Sequence, residues 1–198
     1  MTTYNAEFFD GEELLALARA DIEKGLHDSA LYKLKTAMQK QNLPVEVFAV
    51  IGRLYAQLRL WEKAKENLSK FLETNPKAIT EKFQFGMVLF DSGDKVAALS
   101  VWKELLTLAP LHPPAMFYSA LINADMGAVD AAKTMLDKLL QNAPVDNLYF
   151  ERAKELLQAI SKAGVAGSKE KKIGTESDES VDSNVFKVNP ETAYKTEH

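Results

Sequence analysis

The stretch VEVFAVIGRLYAQLRLWEKAKENLSKFLETNPKA, residues 45–78, decides the fold. Its large apolar residues recur at spacings of three and four. Phe48, Ile51, Leu54 and Tyr55 do so in its first half, and Ala64, Leu68, Phe71 and Leu72 in its second. That is the spacing of one helix face, and no β-branched alternation competes with it. Pro76 closes the second segment, because proline cannot continue a helix. The stretch reads as helix, turn, helix.

Working outward, the same marks return at a fixed period. Pro76, Pro110 and Pro144 stand 34 residues apart, as do Ala30, Ala64, Ala98 and Ala132. Gly52 and Gly86 share the period, with Ala120 at the next equivalent place. Gly93 and Gly127 share it too, and Gly25 lies two periods before Gly93. Small residues recur where two helices cross closely. Glycine recurs in the turn, where a positive φ costs it little. Self-similarity at such a period marks a stack of repeats.

At these residues the sequence resembles the tetratricopeptide repeat family, whose period is about 34 residues. The repeats are framed as 11–44, 45–78, 79–112 and 113–146. The second matches best, and the third follows with Phe85, Gly86, Leu89, Gly93, Ala98, Trp102, Leu105 and Pro110. The fourth gives Met116, Ala120, Gly127, Ala132, Leu136, Leu139 and Pro144, and the first Leu14, Leu17, Ala18, Gly25, Ala30, Leu34 and Ala37. Asp21 and Asn123 depart from the pattern, standing where Tyr or Leu is usual. Lys82, Ser119 and Asn42 are also unusual at their places. The resemblance implies an all-α fold, a right-handed α-solenoid of four helix-turn-helix repeats.

The ends are legible as well. Residues 1–10 lead in, and Asp10 with Glu13 forms a capping box, with Phe9 and Leu14 as its hydrophobic staple. Tyr149, Arg152, Ala153, Leu156, Leu157 and Ile160 predict a capping helix over 147–163, ended by Gly164. Residues 164–198 carry few large apolar side chains and are read as a disordered tail.

Composition narrows the function. The 198 residues are 46% hydrophobic with a net charge of -4, which argues against a generally basic nucleic-acid surface. Cysteine is absent, so disulfides, thiol nucleophiles and Cys-ligated metals are excluded. No apolar run approaches the roughly 18 residues of a membrane span. The N-terminus lacks a secretory pattern, so a cytoplasmic protein is expected, although a signal already removed would leave no trace. No phosphate loop, GxGxxG, HExxH or GxSxG motif is present. His27 and His112 read as plain surface histidines in a turn and a linker, and loop oxygen ligands for a metal are missing. No enzyme, cofactor or metal site is expected.

The resemblance also implies a site. In the family the first helix of each pair lines a concave surface. Carried over residue by residue, this assigns Leu15 and Arg19 in repeat one, and Val50 and Arg53 in repeat two. It assigns Phe83, Gln84, Met87 and Phe90 in repeat three, and Phe117, Tyr118 and Leu121 in repeat four. Arg19 and Arg53 share one place and form a basic edge for an acidic ligand group. The Lys/Asn/Asn/Lys/Arg clamp of co-chaperones falls on Leu15, Arg19, Val50, Thr80 and Gln84. Only one of these is basic, so that clamp is absent. The apolar cluster has two readings. Exposed, it is a groove for an apolar or amphipathic-helical segment of a partner, and the protein is an adaptor or chaperone-like module. Covered by the fifth helix or the tail, it is ordinary core. A different class of function also stands, a scaffold subunit that self-associates into a homo-oligomer.

Overall fold

The structure is a computed structural model that describes residues 8–170, with side chains described through Lys162. Within these residues the chain is helical and carries no strand. The helices are α1 (Gly11–Glu23), α2 (His27–Ala37), α3 (Glu46–Gln57), α4 (Trp61–Thr74), α5 (Ile79–Asp91), α6 (Lys95–Leu108), α7 (Pro113–Asp125), α8 (Val129–Asn142) and α9 (Leu148–Glu170). The second helix of each pair begins at His27, Trp61, Lys95 and Val129, so the 34-residue period of the sequence becomes the period of the helices. The described residues form two compact units that part between Asp94 and Lys95, in the turn between α5 and α6.

In the first unit α1 packs on α2 and α3 on α4, and α3 also meets α1, α2 and α5. Asp10 caps α1. Its carboxylate accepts the Glu13 N–H at 2.9 Å, and Glu13 accepts the Asp10 N–H at 2.9 Å, which makes the expected capping box. Ala30 and Ala64 are fully buried, as are Ala98 and Ala132 in the second unit. Small residues there let the paired helices approach closely. Gly52 does the same. A Cβ on it would lie 2.8 Å from Leu68 Cγ, inside van der Waals contact. Asp21, unusual for its place, is held by an ion pair to Lys33, whose ammonium also donates to Ser29 Oγ at 2.8 Å. Burial raises the Asp21 carboxyl, but hydrogen bonds from Lys33 and Ser29 outweigh it and hold the group below the usual carboxylate range. A polar knot thus replaces the apolar contact the family uses here.

The four turns inside the helix pairs close alike. The N–H of Leu26, Leu60, Asp94 and Ala128 donates to the carbonyl five residues back, at 2.8, 2.9, 2.9 and 2.8 Å. That closure requires a left-handed residue just before. Gly25, Gly93 and Gly127 supply it with φ of 72°, 94° and 77°, while Arg59 fills the same place at 57°.

In the second unit α7 packs on α6, α8 and α9, and α9 also packs on α8. Tyr149, Ala153, Leu156 and Ile160 form the buried face of α9. The helix continues through Gly164 and Gly167 to Glu170, so the expected stop at Gly164 is corrected. Glycine lowers helix propensity by about 1 kcal/mol and permits a left-handed cap, but it compels neither. From residue 171 on, the tail expectation lies outside the described residues, as does most of the lead-in.

His112 has a role the sequence reading did not give it. Its Nδ1 accepts the Ala115 N–H at 3.2 Å and caps α7, just before Pro113 and Pro114. Nδ1 must be unprotonated to accept, and burial holds this imidazole below the ordinary histidine range. The unfolded chain therefore takes up the proton first. Stability is full above about pH 6.5 and is expected to fall as pH drops through that value toward the lower folded pKa. Melting curves from about pH 7.5 to about pH 5.5 should show the loss, and His112→Asn, a cap that does not titrate, should flatten it.

Candidate partner-binding surface

In the first unit the row of first helices, α1, α3 and α5, carries eight of the expected residues. Arg19 is exposed on α1. Arg53, on α3, is mostly buried, and its Nη1 donates to Glu81 Oε1 on α5 at 3.1 Å. Burial lowers the Arg53 pKa, Glu81 opposes that, and nearby Arg19 adds to it. Guanidinium groups stay charged at any physiological pH, so two cations stand within electrostatic reach of each other with one carboxylate between the helices. Glu81 fixes the Arg53 fork. It is a member of the site that sequence reasoning missed, because its partner lies 28 residues away.

The apolar members of this row are largely inward. Leu15, Val50, Phe83, Gln84 and Met87 are buried, Phe83 to 8% exposure, and Phe90 is partly exposed. Gln84 Oε1 has no hydrogen-bond partner among the described residues. The expected open apolar groove is therefore corrected for these side chains. The first helices pack chiefly on the second helices, α1 on α2 and both α3 and α5 on α4, with lesser contacts of α3 to α1 and α5, and these side chains are buried.

In the second unit the correction is stronger. Phe117, Tyr118 and Leu121 are buried, Tyr118 to 1%. The Tyr118 ring lies 5.5 Å from Trp102 and 5.4 Å from Phe117, and Tyr149 of α9 stands 6.2 Å from Tyr118 and 5.7 Å from Phe117. These are the tilted and edge-on contacts that aromatic rings favour. Arg152 covers the outer side, its guanidinium 5.6 Å above the Tyr149 ring. Here the covered-core reading holds, with α9 as part of the cover.

Among the described residues no group of three His, Asp or Glu side chains is placed to hold a metal ion. No described helix is long and apolar enough to cross a membrane.

The tetratricopeptide repeat family matches residues 114–144. No curated protein sequence matches the chain. Among solved structures, MamA (AMB-1) is similar over 70% of this chain and 81% of its own, with 26% identity and a TM-score of 0.63. YrrB, described as a tetratricopeptide repeat protein with an unusual peptide-binding site, is similar over 73% of this chain and 74% of its own, at 23% identity and a TM-score of 0.65. A tetratricopeptide repeat protein from Parabacteroides merdae ATCC 43184 covers 77% of this chain and 60% of its own at 21% identity, with a TM-score of 0.70.

Residues 114–144 match the tetratricopeptide repeat family, and the chain has the fold of tetratricopeptide repeat proteins. Its fold class is all-α, of the tetratricopeptide solenoid type. Tetratricopeptide repeat proteins are in general interaction scaffolds and not enzymes, and the fold implies a protein–protein interaction module.

Proposed function

We propose that this protein is a cytoplasmic adaptor or chaperone-like module with no catalytic activity of its own. It holds an apolar or amphipathic-helical segment of a partner protein along α1, α3 and α5. Arg19 and Arg53 take a carboxylate of that segment. Leu15, Val50, Phe83, Gln84 and Met87 form the firm floor beneath it, and Phe90 its apolar edge. Phe117, Tyr118 and Leu121 hold the second unit together.

The observation that supports this reading is the pair of guanidinium groups. Arg19 is exposed, and Arg53 beside it is oriented by Glu81. A guanidinium fork held in place by a second carboxylate offers a bidentate site to an incoming one with little ordering cost. Arg19 and Arg53 attract the same anion and repel each other, so binding an acid there relieves a repulsion. YrrB, whose fold is similar, is described with a peptide-binding site, which fits a peptide segment as the ligand class.

The test is a pull-down with mass spectrometry that compares the native chain with Arg19→Glu. Arg19 is exposed, so its replacement leaves helix content and melting temperature within about 0.5 kcal/mol of native stability. The expected result is loss of the captured partner. Equal capture of the same proteins by both forms would reject the proposal.

A further inference from the structure

At one edge of the first unit the turn between α3 and α4 breaks three local rules, and the turn between α1 and α2 shares two of them. Arg59 adopts φ 57° at a place where the equivalent residues are Gly25, Gly93 and Gly127. A side chain in that region is strained, and such strain persists where the surrounding structure or a function holds it. Leu26 and Leu60 stand at the N-cap of α2 and α4, and neither helix has a side-chain cap there, as is also true of Ala128 before α8. Serine, threonine, aspartate or asparagine is the usual occupant of that position.

The third breach is exposure. Leu26 is 51% exposed, Leu58 41% and Leu60 42%. An apolar residue at this point of such a turn ordinarily folds onto the last helical turn. These leucines leave about half their surface in water.

The turn itself does not need these residues. Closures of the same length are made with Ser92, Gly93 and Asp94 after α5, and with Met126, Gly127 and Ala128 after α7. The Leu58-Arg59-Leu60 sequence is therefore dispensable for geometry and unfavourable for local stability. The Arg59 side chain makes no ion pair or hydrogen bond among the described residues. Because α3 packs on both α1 and α2, the two helix pairs lie side by side and their turns share an edge.

We propose that this edge, built from Leu26, Leu58, Arg59 and Leu60, is a second protein-docking surface, which takes an acidic amphipathic segment of another protein. The three leucines receive its apolar side chains. Arg59, an unpaired cation between two exposed leucines, receives a carboxylate that stands among them. The left-handed turn points that guanidinium outward from a rigid closure, and apolar surroundings strengthen its pairing with an acid. The surface is separate from the α1–α3–α5 row and does not depend on Arg19 or Arg53.

The strain supplies a test with opposite effects on fold and binding. A phage-displayed library of random 16-residue peptides is selected against the full chain. The selected peptides are then titrated against native protein, Arg59→Gly, Leu60→Asn and Arg19→Glu. The expected result is a class of peptides with aliphatic residues at three- and four-residue spacing and at least one Asp or Glu. Its affinity falls about tenfold or more with Arg59→Gly and with Leu60→Asn, and holds with Arg19→Glu. Arg59→Gly also raises the melting temperature, by about a few degrees. The proposal is overturned if no selected class is sensitive to Arg59→Gly, or if the sensitive class carries no acid. It is equally overturned if Arg59→Gly melts below the native chain, since Arg59 would then serve the fold.

Discussion

Tyr118→Ala is expected to destabilise the second unit by about 3–5 kcal/mol, the usual effect of removing a large buried ring. The side chain is 1% exposed and joins Trp102, Phe117 and Tyr149 in one aromatic cluster. Truncation leaves a cavity lined by three other rings, on α6, α7 and α9. Those rings are large and belong to three different helices, so they cannot all close on the gap at once. Denaturant unfolding followed by Trp102 emission, with Trp61→Phe in both forms to remove the other tryptophan, measures the loss. Tyr118→Phe retains the ring and is expected to lose much less. A Tyr118→Ala loss below about 1 kcal/mol would mean that the ring is not part of the core. The measurement also separates structure from binding. In the core, Tyr118 affects partner capture only as far as it unfolds the unit.

Gly52→Val is expected to cost about 2–3 kcal/mol through overpacking. The new Cβ would lie 2.8 Å from Leu68 Cγ and 3.2 Å from both Leu68 Cδ2 and the Leu68 backbone nitrogen. Rotation of Leu68 cannot remove all three contacts, because the nitrogen belongs to the α4 backbone. The paired helices α3 and α4 must then separate. The helix propensity regained on losing glycine is smaller than this, below about 1 kcal/mol. A double-mutant cycle with Leu68→Ala checks the cause. The second change removes the clash with Cγ and Cδ2 and leaves the backbone contact, so partial rescue is expected. Strict additivity of the two losses would show that Gly52 and Leu68 do not meet.

The success and failure of the sequence reading follow from what each residue depends on. Gly25, Gly93 and Gly127 predict left-handed turns correctly, because backbone freedom is a property of the residue itself. Arg59 was invisible on that ground. Nothing in an arginine announces a positive φ, and only the period points to its place. Asp10 and Glu13 give their capping box three residues apart, within reach of any local rule. Arg53 and Glu81 pair across helices that no local pattern joins, so the fork that orients the basic edge appears only in three dimensions. His112 looked like linker because histidine is an uncommon cap, and its part-buried hydrogen bond with Ala115 is a matter of one rotamer.

By itself the sequence determined that the described residues are paired helices in a 34-residue period, followed by one longer amphipathic helix. Helix spacing, small residues at crossings and glycine in turns are local or periodic, and they add up along the chain. Only the tertiary structure decided which side chains remain available. A helix face read by family register is uncertain by about one residue, which is about 100° of rotation. That is enough to turn Phe83 and Tyr118 from a groove lining into packed floor and core. Burial is a property of neighbours: α9 covers part of the α7 face, and α2 and α4 take up much of the faces of α1, α3 and α5. Arg19 and Arg59 are exposed, and Arg53 is mostly buried with Glu81 as its partner, because a guanidinium is costly to bury unpaired, so these cations outline the candidate surfaces more firmly than the aromatics do.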